Sequence, residues 1–137
     1  MKEMSWQEAV NLPSLTLAYI GDGVYELAVR RYLLGSGIKK ADELHKAAVK
    51  YVKATFQSDF YQLLLDELPE EELAVMKRGR NAKTSRQPKS SGVAAYHNAT
   101  GVEALVGALW LSGNQQRLDA IFCLLFERIG NERGEDQ

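Results

Sequence analysis

Two carboxylates stand out by the company they keep. Asp22 lies in the run Leu17-Ala18-Tyr19-Ile20-Gly21-Asp22-Gly23-Val24-Tyr25-Glu26, and Glu103 in Ala99-Thr100-Gly101-Val102-Glu103-Ala104-Leu105-Val106-Gly107-Ala108-Leu109-Trp110. A carboxylate among small and apolar residues is expensive unless it is paired, hydrogen-bonded or bound to a cation. Gly21-Asp22-Gly23 has two readings: a turn between short helices supported by Asp22, or one continuous helix. In the continuous case Ala18, Asp22, Glu26 and Arg30 share a stripe. Two like charges at that spacing disfavour a helix by roughly 0.2–0.5 kcal/mol. A cation between Asp22 and Glu26 reverses that sign, whereas an ion pair from Glu26 to Arg30 makes Glu26 an ordinary surface residue. The segment alone decides neither question.

Basic residues form the second constellation. Residues 77–89 carry Lys77, Arg78, Arg80, Lys83, Arg86 and Lys89 with no acid among them, and Lys39, Lys40, Lys46, Lys50 and Lys53 precede them. The acids gather at Asp66, Glu67, Glu70, Glu71 and Glu72 and in the tail. The net charge is only −1. Segregation of this kind gives a neutral molecule a positive face, which is what a phosphate backbone senses. His45 and His97 stand without the His/Cys spacing of a zinc site, and their expected places are the surface or a helix start.

These residues need elements to position them, and the period is helical throughout. Ser5-Trp6-Gln7-Glu8 is a capping box opening a short helix that Leu12-Pro13 ends. A second helix is expected over residues 14–34, with Leu17, Ile20, Val24, Leu27 and Ala28 on one face and Gly35 and Gly37 stopping it. Further helices are expected over 41–51, over 58–68 with Ser58 as cap, and from Pro69, whose following glutamates suit a helix N-terminus. Residues 79–92 read as one long loop, a length more often functional than idle. A strongly apolar helix over 98–111 and a last one from Asn114 to about residue 129 complete the chain. No window alternates with period two, so the class is all-α. If the small faces around Gly21 and Gly107 cross, Asp22 and Glu103 can meet.

The 137 residues fit one domain, expected over 1–130, with 131–137 as a frayed tail. A single cysteine, Cys123, has no disulfide partner and is expected as a buried core thiol in a reducing cytoplasm. No signal peptide and no run long enough for a membrane span are visible. Trp6 and Trp110 are expected in the core or an interface.

Tyr19-Ile20-Gly21-Asp22, followed far along the chain by Glu103-Ala104-Leu105-Val106-Gly107-Ala108, resembles the ribonuclease III family. Arg78-Gly79-Arg80-Asn81-Ala82-Lys83 and Ala99-Thr100-Gly101-Val102-Glu103 resemble its Mini-ribonuclease III branch, which lacks the separate double-stranded-RNA-binding domain. The resemblance implies a helical-bundle homodimer that hydrolyses double-stranded RNA with Mg²⁺, Mn²⁺ being a substitute. It implies Asp22 and Glu103 as catalytic, metal-binding acids, with Glu26 as a further metal candidate. It points to Arg78, Arg80, Asn81, Lys83 and Arg86 as RNA contacts, and to maturation of precursor 23S ribosomal RNA, with a ribosomal protein as helper. Two positions depart from the wider family: Ala18 and Thr100 stand where many relatives carry acids. That departure favours the competing reading, a non-catalytic RNA-binding module on the same fold.

Overall fold

The computed structural model describes residues 3–83 and 92–134. Among them the chain is seven α-helices and no strand: α1 Trp6–Val10, α2 Ser14–Gly35, α3 Ala41–Val52, α4 Ala54–Leu64, α5 Glu70–Arg80, α6 Val93–Leu111 and α7 Gln115–Arg133. The capping box forms as expected, Ser5 Oγ accepting from the Glu8 amide while the Glu8 carboxylate accepts from the Ser5 amide. The glutamates of α5 sit in its first turn and Lys77, Arg78 and Arg80 in its last, matching the helix dipole at both ends.

Several boundaries differ from those expected. Helix α4 starts at Ala54, before Ser58, because only Lys53 separates it from α3. Helix α5 runs to Arg80, two residues into the expected loop, and α6 starts at Val93, five residues before the expected Asn98. Helix α7 continues to Arg133, past the expected end near residue 129, and Gly134 adopts the left-handed conformation that ends it.

Helix α6 is the centre of the fold and packs against α1, α2, α4, α5 and α7. From Asn98 to Leu109 it is buried on every side except at Glu103. A helix apolar all round must sit inside a bundle. Around it lie Tyr25, Val29 and Leu33 from α2, Phe60 and Leu64 from α4, and Leu118, Ile121 and Leu125 from α7. Truncating one such leucine to alanine costs about 2–5 kcal/mol. Cys123 departs from expectation. It is exposed, because α7 turns Ile121, Phe122 and Leu125 inward and Cys123 falls off that face.

Candidate active site

Helices α2 and α6 touch backbone to backbone. A Cβ on Gly21 would fall on the carbonyl oxygen of Glu103, and one on Gly107 on the carbonyl oxygen of Leu17. Glycine inside a helix costs about 0.5–1 kcal/mol relative to alanine, a cost offset here by the close crossing it permits. The helix therefore continues through Gly21-Asp22-Gly23 with no turn. Asp22 stays exposed, while Glu103, on the buried helix, is half-buried. Their carboxyl groups come within hydrogen-bonding reach.

Burial is the main force on Glu103 and, with the charge and hydrogen bond of Asp22 and the charge of Glu26, pushes its carboxyl up to about 8. One contact acts the other way. The buried amide of Gln57 donates from Nε2 to Glu103 Oε2 at 3.4 Å. Beneath the pair, the Tyr25 hydroxyl donates to the Tyr51 carbonyl at 2.7 Å, and burial together with the Glu103 charge pushes that phenol up. A half-buried carboxylate held against a second one is eased either by keeping its proton or by a cation. No group of three or more His, Cys, Asp or Glu lies together among the described residues. The donor set is thus two hard oxygen ligands. That suits a divalent cation which keeps most of its water and takes further oxygens from substrate, and it does not suit an all-protein cage.

The other expected residues fall into distinct places. Glu26 pairs with Arg30 at 2.9 Å, although its charge still presses on Glu103. Arg78 clamps the turn between α1 and α2, donating to the Val10 carbonyl at 2.6 Å, the Leu12 carbonyl at 3.1 Å and Ser14 Oγ at 2.9 Å. Arg80 donates to Asn98 Oδ1 at 2.7 Å and Asn81 Oδ1 at 3.2 Å. Asn81 and Lys83 are exposed where the chain leaves α5, and Arg86 lies outside the described residues. His45 is exposed, and His97 meets Tyr96 edge to face. Ala18 and Thr100 are both buried, and the Thr100 hydroxyl donates to the Tyr96 carbonyl one turn back. Both positions are closed and internally satisfied.

The ribonuclease III domain matches residues 15–114, the stretch that runs from the start of α2 to the cap of α7. The chain belongs to the ribonuclease III family. Among its relatives, a Mini-ribonuclease 3 of Desulfitobacterium hafniense is 47% identical over 128 residues, covering 93% of this chain and 79% of the relative. One of Brevibacillus brevis is 41% identical over 133 residues, covering 94% and 99%. A crystal structure from Fusobacterium nucleatum is similar with TM-score 0.75 and 32% identity, covering 85% of this chain and 93% of that one. As a ribonuclease III domain, this fold is that of an endoribonuclease acting on double-stranded RNA. Motif reading singled out Asp22 and Glu103, which the α2–α6 crossing brings together, and did not single out Gln57, which touches Glu103. The available signal was a glutamine at helical spacing from Phe60, Tyr61 and Leu64, on a face that is otherwise aromatic and aliphatic.

Proposed function

We propose that the chain cuts both strands of duplex RNA with Mg²⁺ held by Asp22 and Glu103, and that it does so as a homodimer. The observation that carries this reading is the close pair of carboxyls at the α2–α6 crossing, one of them held near 8 by burial and its neighbour's charge. Held by Asp22 and Glu103, Mg²⁺ would supply an activated water and charge stabilisation at the leaving oxygen, and Mn²⁺ would substitute for it. Asp22, being exposed, faces solvent and substrate, while Glu103 offers its oxygen from the helix interior. Before it can do so, Glu103 must give up the proton that its surroundings favour.

Lys83 and Asn81, exposed where the chain leaves α5, and Arg86 beyond them are our candidates for phosphate contacts. Arg78 and Arg80 support the ground beneath them. Recognition of this kind reads the shape of A-form RNA more than its sequence. Precursor 23S ribosomal RNA, met in the cytoplasm and presented with a ribosomal protein, is the substrate we favour, following the resemblance to the Mini-ribonuclease III branch. Among the described residues no helix is long and apolar enough to cross a membrane.

Cutting two strands calls for two sites. Tyr19, Leu27 and Trp110 are 81%, 66% and 50% exposed. Leu27 and Trp110 line a cleft of about 1080 Å³ together with Tyr32, Phe122, Cys123 and Phe126. A face that carries both protruding apolar groups and a recess can complement itself across a twofold axis. Incubating the protein with a long RNA duplex, with and without Mg²⁺, and sizing the products tests the whole reading. Short duplex products that appear only with the cation are expected. RNA binding with no cleavage at any cation concentration would leave a non-catalytic binding module instead.

A further inference from the structure

We infer that Gln57 is a positioning residue for the cation site: its buried side-chain amide holds the Glu103 carboxylate in the orientation that binds the cation. This inference rests on the reading of Asp22 and Glu103 as that site.

Gln57 is 2% exposed on the inner face of α4, beside Phe56, Phe60, Tyr61 and Leu64. Burying an amide is costly unless it is hydrogen-bonded, and a leucine of similar size would avoid that cost. What the amide meets is a carboxylate forty-six positions away on another helix, at 3.4 Å. That is long for a hydrogen bond, so it adds little to stability. Such contacts around reacting groups are often loose until the site is loaded.

The register that delivers the amide is itself fixed. The next residue, Ser58, accepts through Oγ from Asn98 Nδ2 at 2.9 Å, and Asn98 Oδ1 accepts from Arg80 Nε at 2.7 Å. Two consecutive residues of α4 are thus tied to α6, one of them to Glu103 itself. The type of residue matters as much as its place. Lysine or arginine at this position would neutralise Glu103 and repel a cation. An acid would add to the repulsion already felt from Asp22 and Glu26. A neutral donor orients the carboxylate and leaves its charge for the metal. Groups that orient metal ligands in this way are typically worth 10–100-fold in affinity or activity.

The test uses the full chain carrying Gln57→Leu, with Gln57→Met as a second variant and Asp22→Asn as the site control. Mn²⁺ binding to the RNA-free protein is followed by electron paramagnetic resonance, and the Mg²⁺ midpoint of single-turnover cleavage is measured beside it. Both Gln57 variants are expected to melt at or above the wild-type temperature and to bind Mn²⁺ roughly 10–100-fold more weakly. Their Mg²⁺ midpoints should rise by a similar factor, with most of the rate restored at saturating cation. Wild-type Mn²⁺ affinity and midpoint in both variants would overturn the inference, and so would a rate loss that no cation concentration repairs. Failure of both variants to fold would also overturn it, by making Gln57 a packing residue. Wild-type Mn²⁺ affinity in Asp22→Asn would sink the site itself, an outcome distinct from any of these.

Discussion

Gly21 lies against the backbone carbonyl of Glu103, so the residue just before one acid seals α2 onto the helix that carries the other. A methyl group there has no flexible side chain to displace, because what it meets is backbone. Gly21→Ala is therefore expected to part the two helices and separate the acids. Overpacking of this kind costs about 1–3 kcal/mol and occasionally more. Urea unfolding should show a lower midpoint, and cleavage should fall with it. Wild-type stability and activity together would show that the crossing is looser than described.

The acids themselves should behave differently. Asp22→Asn and Glu103→Gln keep shape and remove charge, and Glu103→Gln also relieves a buried repulsion. Both proteins are expected to fold, with Glu103→Gln melting at or above the wild-type temperature when no cation is present. Cleavage should drop by more than about 100-fold in each, since a direct ligand is worth at least what its supports are. Single-turnover rates beside thermal melting decide the matter; a folded mutant with full activity refutes the assignment.

Glu103 also makes stability depend on pH. Its folded value of about 8 lies above the 4.5 of an ordinary glutamate, so between those values the folded protein keeps a proton that the unfolded chain releases. The resulting stabilisation is fully present below the unfolded value and is lost as pH rises through the folded one. Cation-free protein should therefore lose melting temperature between about pH 5 and pH 8 relative to Glu103→Gln, which lacks the titration. Adding Mn²⁺ at pH 8 should recover part of the loss. A wild-type and mutant difference that stays constant over this range would remove the argument.

Arg78 and Lys83 lie close in sequence and are expected to part company on mutation. Arg78→Ala breaks three hydrogen bonds to the α1–α2 turn and should cost about 1–3 kcal/mol of stability. Lys83→Ala should leave melting unchanged and lower the slope of log affinity for RNA against log salt by roughly one. Melting curves and binding isotherms at several salt concentrations separate the two. An unchanged slope for Lys83→Ala would take it off the RNA face.

Gly23 tests the dimer. A Cβ there meets nothing within 4 Å inside one chain, so alanine should stabilise an isolated protomer by about 0.5–1 kcal/mol. The residue lies between Tyr19 and Leu27 on the exposed stripe of α2, where a partner's helix would approach. Gly23→Ala should then weaken association, read by light scattering over a dilution series. Wild-type assembly in a more stable mutant would move the interface elsewhere.

The all-helical class, the first capping box, the acidic start of α5 and the choice of Asp22 and Glu103 were legible in the amino acids. They depend on periodicity, on local capping chemistry and on motifs, all of which act over a few residues or are carried by resemblance. Gly21-Asp22-Gly23 was not decidable in that way. Glycine's local preference is for a turn, and only α6 lying against it explains why the helix continues. Arg78 reads locally as one more cation in a basic run, and its work as a clamp exists only because the α1–α2 turn folds back onto α5. Cys123 reads as core and is exposed, since the phase of α7 is set by what it packs on. Gln57 shows the limit most clearly. Its type was visible, but its meaning depends on a carboxylate brought to it by a different helix, and such a meeting is created by packing alone.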